Sequence, residues 1–270
     1  MRLFIRHATR YRYTDPVVYS IQQLRLTPRA DACQQTIRWQ LATPGHPRQQ
    51  IDAHGNTAHT LVMTLPHQEI SLVVEGEIET HDSPMMLPRG TRLSPLAYVS
   101  PSALTAPDEA IEDFATRHLA GADRKSCLRL METIHERVRY QPGITDVTHS
   151  ASEVLALGQG VCQDQAHLFV ASCRARAIPA RYVSGYILTD GGHAASHAWA
   201  DAWIAEENAW LSCDITHAAL ADGRFCRLAV GRDYLDACPV RGVRNGGNEE
   251  TMQVSVVVGE EPMALQQAQQ

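Results

Sequence analysis

Gln159-Gly160-Val161-Cys162-Gln163-Asp164 is the stretch of sequence that decides the fold. Gly158 and Gly160 interrupt the helical pattern that precedes Cys162, and residues 162 to about 177 then repeat their apolar side chains at helical spacing. The pattern predicts that Cys162 lies at a helix N-terminus, where unpaired backbone N–H groups and the positive end of the helix dipole favour an anion. This position favours the thiolate, the nucleophilic form of cysteine, and the same amides could bind a developing oxyanion.

The other six cysteines lack such a position. All seven are scattered, and no two are separated by the two to four residues typical of zinc ligands. We expect a reducing compartment, where disulfides are rare, and therefore one reactive cysteine and six mostly buried free thiols. A cysteine nucleophile needs no organic cofactor and no metal, so neither is expected. The six are Cys33, Cys127, Cys173, Cys213, Cys226 and Cys238.

The N-terminal part of the chain has the period of β-strands. Residues 2–80 alternate apolar and polar side chains, with Leu3 and Ile5 on one side of the first run, and turn signals separate the runs. This predicts an N-terminal antiparallel β domain over residues 1–95. Five prolines between residues 84 and 107 predict an extended connection rather than a regular element.

After the prolines the apolar spacing changes to that of helices. Three helices are predicted before Cys162, and the third begins with the capping box formed by Ser150 and Glu153. We predict a catalytic domain over residues 96–245 and a closing strand with a tail over residues 246–270. Strands are predicted at 178–187, 197–204, 210–214 and 254–258.

His197 stands out among the thirteen histidines. A thiolate needs a partner that stabilises it and later gives a proton to the leaving group, and histidine does this near neutral pH. His197 begins a predicted strand on which it shares one face with Trp199, Asp201 and Trp203. We expect the two tryptophans to form an apolar wall beside the substrate. His167 follows Cys162 on the same helix but points to a different side.

A carboxylate that fixes the imidazole tautomer would complete the set. Asp214 ends the next predicted strand, and a hairpin that turns around Glu206-Glu207 would place it on the face of His197. A one-residue slip in register would send Asp214 to the opposite face, so Asp201 remains an alternative.

Four segments, taken together and in this order, resemble the bacterial transglutaminase-like superfamily. The run Ala229-Val230-Gly231-Arg232-Asp233-Tyr234, with Pro239-Val240-Arg241-Gly242, looks like the C-terminal signature of the same family. The β-rich first segment is similar to the N-terminal region that accompanies this catalytic domain, so the resemblance covers nearly the whole chain. The four segments are Gly160-Val161-Cys162-Gln163-Asp164, Ile178-Pro179-Ala180-Arg181-Tyr182-Val183-Ser184-Gly185-Tyr186, Ser196-His197-Ala198-Trp199 and Asp214.

The resemblance implies an α+β fold: a papain-like, transglutaminase-like catalytic core with an N-terminal antiparallel β domain. In such a core the nucleophile lies on a helix, and the histidine and aspartate lie on adjacent antiparallel strands. Cys162 then matches the nucleophile, His197 the general base and acid, and Asp214 the orienting carboxylate. The chain departs from the family in one place, because Asp214-Ile215-Thr216-His217 stands where Asp-Pro-Thr-Asn is usual.

The same resemblance implies a reaction that begins with thiolate attack on an amide carbonyl and leaves a thioester. Water as the acceptor would give a peptidase or amidase, which is our first expectation, and a primary amine would give a cross-linking acyl transferase. A domain that binds peptides without catalysis is the alternative from another class. The backbone amide of Cys162 is the natural first oxyanion donor, and the candidates for the second are Tyr140, Gln163 and Gln159.

The composition narrows the partners. The 270 residues carry a formal net charge of −6, which argues against nucleic acid because phosphate binding needs a clustered positive field. No apolar run is long enough for a membrane span or a signal peptide, so we expect a cytoplasmic protein without a membrane partner. The expected partner is a peptide or protein substrate; its identity and the oligomeric state stay open.

Overall fold

The computed structural model describes residues 1–81, 86–88, 93–189 and 195–261. Within these ranges the chain forms fifteen strands and five helices. The strands are β1 (Arg2–Leu24), β2 (Gln34–Ala42), β3 (Arg48–Ile51), β4 (Thr57–Met63), β5 (His67–Thr80), β6 (Met86–Pro88), β7 (Arg139–Tyr140), β8 (Gln159–Gly160), β9 (Ala180–Ile187), β10 (Ala195–Ile204), β11 (Ala209–Asp214), β12 (Ala219–Leu220), β13 (Phe225–Gly231), β14 (Val240–Gly246) and β15 (Glu250–Gly259). The helices are α1 (Glu109–His118), α2 (Arg124–Arg137), α3 (Ala151–Leu157), α4 (Cys162–Ala175) and α5 (Tyr234–Ala237).

The long strand β1 organises the first sheet, whose strand pairs are all antiparallel. Its first half lies between β5 and β15, and its second half lies between β4 and β14, with β2 and β3 at the outer edges. The register with β5 shifts between Arg12 and Val17, where the strand changes neighbours. The chain therefore returns to the N-terminal sheet at Val240, before the boundary predicted at residue 245.

The two faces of β1 have different surroundings because side chains alternate along a strand. Arg2 and Arg6 face solvent and pair with Glu77 and Glu75 of β5, and such exposed ion pairs contribute little to stability. The apolar side chains of the other face, including Leu3 and Ile5, pack in one cluster with residues of β9 and β13, namely Tyr186, Cys226 and Leu228. This face joins the two halves of the molecule.

The second sheet has the strand order β12-β11-β10-β9-β13, and all its pairs are antiparallel. Helix α4 packs against β9 and β10 on one side and against the three preceding helices on the other. It is enclosed on almost every side, with Leu168, Phe169 and Val170 among the fully buried residues. No helix of the described residues has the length and apolar content needed to cross a lipid bilayer.

The proline-rich connection is more regular than predicted. Residues 86–88 form β6, which pairs with β11 at the edge of the second sheet, and residues 95–98 form a short 3₁₀ turn capped by Ser94. An edge strand accommodates Pro88 because one side of it makes no ladder hydrogen bonds. Pro84 and the predicted tail from residue 262 onward lie outside the described residues.

Candidate active site

Cys162 is the first residue of α4, and local contacts fix this helix start. The preceding residue, Val161, donates its backbone N–H to Asp164 Oδ2 at 2.7 Å, and Thr145 donates its hydroxyl to the same oxygen at 2.6 Å. Gly160 allows this arrangement, because a Cβ there would lie 2.7 Å from Asp164 Oδ2. The Cys162 N–H is one of the first-turn amides without a partner inside the helix, and the thiol is partly exposed. The helix start therefore presents a sulfur and an amide donor together.

His197 joins Cys162 to Asp214. Its Nε2 lies 3.0 Å from Asp214 Oδ1, and the thiol of Cys162 is a second hydrogen-bond partner of the ring. Since Nε2 faces the carboxylate, Nδ1 is the nitrogen left for the thiol. The strand register explains the approach: Ala200 pairs with Cys213 and Trp203 with Trp210, so the end of β11 lies beside the start of β10.

The electrostatics of this set favour a charged imidazole. Burial alone would lower the pKa of His197, but the hydrogen bonds and charges of Asp214 and Cys162 raise it from 6.5 to about 10. Burial would raise the pKa of Asp214, but its hydrogen bonds to His197 and His217 and their charges lower it from 3.8 to about 2. At neutral pH the imidazolium can therefore stabilise a thiolate beside it.

The turn after Asp214 holds the carboxylate without the proline that the family pattern contains. The backbone N–H of Thr216 donates to Asp214 Oδ1 at 3.1 Å, which forms an Asx turn. The Thr216 hydroxyl donates to Gln165 Oε1 at 2.7 Å, and Gln165 in turn donates to the carbonyl of Val138 at 2.8 Å. The turn is thus tied directly to α4, the helix that carries the nucleophile.

His217 is the contact that the sequence analysis missed. Its Nδ1 lies 2.6 Å from Asp214 Oδ2, so the buried carboxylate lies between two imidazoles. The His217 side chain is 47% exposed, whereas His197 is almost fully buried. The departure from Asp-Pro-Thr-Asn at this position was the available signal, since both asparagine and histidine can donate a hydrogen bond to the carboxylate.

The same three side chains are the one group among the described residues that could hold a metal ion. The ligand atoms of His197, Asp214 and His217 all lie within 4.8 Å of one another. Both imidazoles already contact the carboxylate directly, so an ion would have to displace these contacts. The expectation of a site without a metal stays a prediction.

The two tryptophans do not form the predicted wall of the site. Trp199 is fully buried, stacks behind the His197 ring at 6.0 Å between ring centres and packs edge-on against Phe225. Trp203 packs edge-on against Trp210 at 5.2 Å. The face predicted for them is covered by other core residues, so they support the histidine from behind and do not line the cleft.

A cleft of about 290 Å³ opens at Cys162 and His197. One side comes from the catalytic core and includes Gln163 and Tyr182. The other side comes from the N-terminal sheet. The residues of the N-terminal sheet at the cleft are His7, Thr9 and Tyr11 of β1, Val240 of β14, and Met252 and Val254 of β15.

The three candidates for the second oxyanion donor lie on different elements near Cys162. Tyr140 of β7 is 49% exposed and pairs with Gly160, and burial with the charge of Cys162 raises the pKa of its hydroxyl. Gln163 follows Cys162 on α4 and lines the cleft. Gln159 lies in β8, three residues before Cys162. Their role as donors stays a prediction.

Asp201, the alternative carboxylate, lies in a different environment. Its Oδ2 is 2.7 Å from Arg181 Nε and 2.6 Å from Arg227 Nη2, and the Ser212 hydroxyl donates to Oδ1. These partners belong to β9, β13 and β11 in the interior of the second sheet. The geometry therefore gives the position beside His197 to Asp214.

Two family descriptions match the chain. Residues 3–79 match the bacterial transglutaminase-like N-terminal region, and residues 113–215 match the transglutaminase-like superfamily. The second match contains Cys162, His197 and Asp214.

Relatives of similar length support the same assignment. An uncharacterised protein of Mycobacterium tuberculosis is 30% identical over 93% of this chain and 90% of its own length, and one of Mycobacterium leprae is 28% identical over 95% and 98%. A crystal structure described as a candidate cysteine protease from Cytophaga hutchinsonii superimposes with a TM-score of 0.77 at 21% identity, covering 98% of this chain and 92% of that one. This likeness confirms the predicted fold class, and the family matches support a cysteine-dependent enzyme in general terms.

Proposed function

Because the chain belongs to the transglutaminase-like superfamily, we propose that it is a cysteine-dependent hydrolase, a peptidase or amidase that cleaves a peptide or isopeptide bond. Cys162 is the nucleophile, His197 the general base and acid, and Asp214 the carboxylate that orients the imidazole. The substrate is a peptide or protein.

One observation carries this proposal. The His197 ring contacts the Cys162 thiol on one side and the Asp214 carboxylate on the other, at the floor of an open cleft. Such a chain of nucleophile, base and orienting group is the arrangement that activates a thiol for acyl transfer.

In the first half of the reaction, the Cys162 thiolate, whose proton already resides on His197, attacks the amide carbonyl carbon. The carbonyl oxygen becomes an oxyanion, which the Cys162 backbone N–H can bind, with Tyr140 or Gln163 as the second donor. When the tetrahedral intermediate collapses, the C–N bond breaks and the amine leaves with the proton from His197. A thioester remains on Cys162.

In the second half, His197 takes a proton from water, and the resulting hydroxide attacks the thioester carbonyl. The C–S bond breaks, a carboxylic acid leaves, and the thiolate–imidazolium pair is restored. Asp214 holds the ring in the tautomer and orientation that both halves need. A primary amine in place of water would give transamidation by the same steps.

The state of the cysteines supports a reducing location. All seven are free thiols, and six of them are buried. Since the mechanism needs a reduced Cys162, the cytoplasm is the compartment we propose.

The proposal is tested by trapping the acyl-enzyme. The protein is mixed with a peptide library and quenched in acid, and the mass added to Cys162 is read by mass spectrometry. The trapped peptide is then resynthesised, and its turnover is measured in water with and without a primary amine. Free acid as the main product supports the hydrolase, whereas an amide product that rises with amine at the expense of acid identifies an acyl transferase.

A non-catalytic binding domain is tested by thiol reactivity. Iodoacetamide should alkylate Cys162 below pH 7 faster than it alkylates the same cysteine in the unfolded chain, and His197→Ala should remove this advantage. Equal rates for Cys162 in the folded, unfolded and His197→Ala proteins would contradict the catalytic proposal. Arg181→Lys serves as the matched control, since Arg181 contacts Asp201 and not the thiol.

A further inference from the structure

The cleft wall opposite the catalytic core is built from paired positions of β1 and β15. Thr9 pairs with Val254, and Tyr11 pairs with Met252. All four residues line the cleft that holds Cys162 and His197. Paired residues of an antiparallel sheet project from the same face, so this wall is a continuous surface of the N-terminal sheet.

This wall leaves apolar surface exposed at the thiol. Met252 is 59% exposed and Val254 is 48% exposed, whereas Val258 on the same strand is buried. Exposed apolar surface next to a polar reactive group is typical of a binding site. The wall thus offers contact area that the folded protein does not use itself.

Two polar side chains of the wall, His7 and Thr9, are already paired. His7 Nδ1 lies 2.7 Å from the Tyr186 hydroxyl, and His7 Nε2 lies 2.7 Å from Thr9 Oγ1. Burial lowers the pKa of His7 to about 4, so the ring is neutral at pH 7. Neither nitrogen is left to bind a charged group of a substrate.

Apart from Cys162 and His197, the rest of the cleft is also without fixed charge. Among the described residues that line it, none is Asp, Glu, Lys or Arg. A buried charge without a partner costs several kcal/mol, so a charged side chain would bind such a surface poorly. Such a lining favours a neutral side chain over a charged one.

A second cavity of about 240 Å³ extends the surface away from the thiol. It shares Tyr11, Val240 and Met252 with the first cavity and ends at Arg244 and Glu250, which form an ion pair at 3.2 Å. Because the two cavities share these lining residues, we treat them together as the groove that leads from Cys162 over the N-terminal sheet.

We propose that this groove binds the acyl half of the substrate and that its wall at Tyr11, Met252 and Val254 selects a neutral, apolar side chain on the residue that supplies the scissile carbonyl. The inference rests on the proposed function, because a thioester is what keeps the acyl half next to this wall. That half stays on Cys162 until water arrives, so it needs a binding surface through both halves of the reaction. The N-terminal domain thus contributes specificity to a site whose chemistry belongs to the core.

The test uses affinity reagents, since they need no known substrate. Acetyl-alanyl-leucyl, -lysyl and -glutamyl chloromethyl ketones place one variable side chain beside a carbonyl, and Cys162 displaces chloride to form a C–S bond. The second-order rate of Cys162 labelling is measured for each reagent and for iodoacetamide. We expect the leucyl reagent to react at least about tenfold faster than the lysyl and glutamyl reagents, a ratio typical of discrimination in an apolar pocket.

Two variants locate the selectivity. Met252→Glu should slow the leucyl reagent and speed the lysyl reagent, each rate being divided by the iodoacetamide rate of the same variant, which would reverse or erase the preference. Val257→Glu is the matched control, because Val257 lies on the same strand, is partly exposed and is not part of the cleft lining. Both changes are at exposed positions, and circular dichroism checks that the two proteins fold alike.

The outcomes separate the two proposals. If iodoacetamide labels Cys162 no faster than an unfolded thiol, the proposed function fails, and this inference fails with it. If iodoacetamide labelling is fast but the three ketones react equally, or if Met252→Glu and Val257→Glu behave alike, only the groove assignment is overturned. Fast leucyl labelling that Met252→Glu alone abolishes supports it.

Discussion

Asp201 and Asp214 are both completely buried, lie on adjacent strands and have a pKa lowered to about 2, yet their partners give them different roles. Burial would raise the pKa of Asp201, but the charges of Arg227 and Arg181 lower it. Guanidinium groups stay charged at every accessible pH, whereas the His197 imidazole beside Asp214 can gain and lose a proton. Complete burial and a lowered pKa therefore do not identify a catalytic carboxylate. The chemistry of the partner distinguishes the proposed catalytic carboxylate, because of these two residues only Asp214 is connected through a histidine to a thiol.

The largest effect should come from the residue that makes this connection. His197→Ala removes the proton carrier, and we expect kcat/KM on the trapped peptide to fall by about 10³-fold or more. Thermal unfolding monitored by circular dichroism should show a folded protein. Substantial activity in folded His197→Ala would mean that another base serves Cys162.

A change at Asp201 should lower the stability of the protein. Asp201→Asn leaves Arg181 and Arg227 without their shared carboxylate charge, and breaking such a buried pair costs about 3–5 kcal/mol. Urea titration should show this fall in the free energy of unfolding, while the folded fraction keeps its kcat/KM. A stable Asp201→Asn protein that has lost its activity would give the catalytic role to Asp201.

Asp214→Asn should instead change activity and its pH dependence. We expect kcat/KM to fall less than in His197→Ala, since the proton carrier stays but loses its orienting charge. The carboxylate helps to raise the pKa of His197 to about 10, so wild-type activity should persist as pH rises and decline only near pH 10. In Asp214→Asn the decline should begin at lower pH, towards the ordinary histidine value of 6.5.

The Asp214 carboxylate should also make the stability of the protein depend on pH. The lowered pKa of Asp214 contributes stability above its unfolded value of 3.8, and this contribution is lost as pH falls towards 2. The difference in unfolding free energy between wild type and Asp214→Asn should therefore shrink over this range. An unchanged alkaline limit of activity in Asp214→Asn would contradict the assigned role.

The smallest effect concerns His217, the second imidazole on Asp214. His217→Ala should lower kcat/KM about fivefold, which corresponds to one hydrogen bond worth about 1 kcal/mol at a half-exposed site. His217→Asn keeps a donor and should retain most of the activity. Equal losses in the two variants would show that the hydrogen bond to Asp214 does not matter for the reaction.

The sequence predicted those parts of the fold and the site that depend on local pattern. The helix start at Cys162, the strands of His197 and Asp214 and the capping box at Ser150 all follow from short-range periodicity and capping. The predicted wall at Trp199 and Trp203 was wrong because alternation shows which side chains share a face but not which part of the chain covers that face.

The groove could not be predicted from the sequence either, because its wall combines strands that are far apart in the chain. The alternation of Leu3, Ile5 and His7 was visible, but its partner strand β15 comes near the other end of the described chain. The role of His7 depends on Tyr186, which lies on another sheet. Only the folded pairing brings these residues to the thiol.

The pairing of β1 with β15 also bears on when the protein becomes active during synthesis. β1 is made before the catalytic core, but β15, which completes its edge and the cleft wall, is made after that core. Contacts between such distant segments form late, because closing a long loop must precede them. A nascent chain that already holds Cys162 and His197 still has no complete groove. Cys162 therefore gains the proposed binding surface only when β15 pairs with β1.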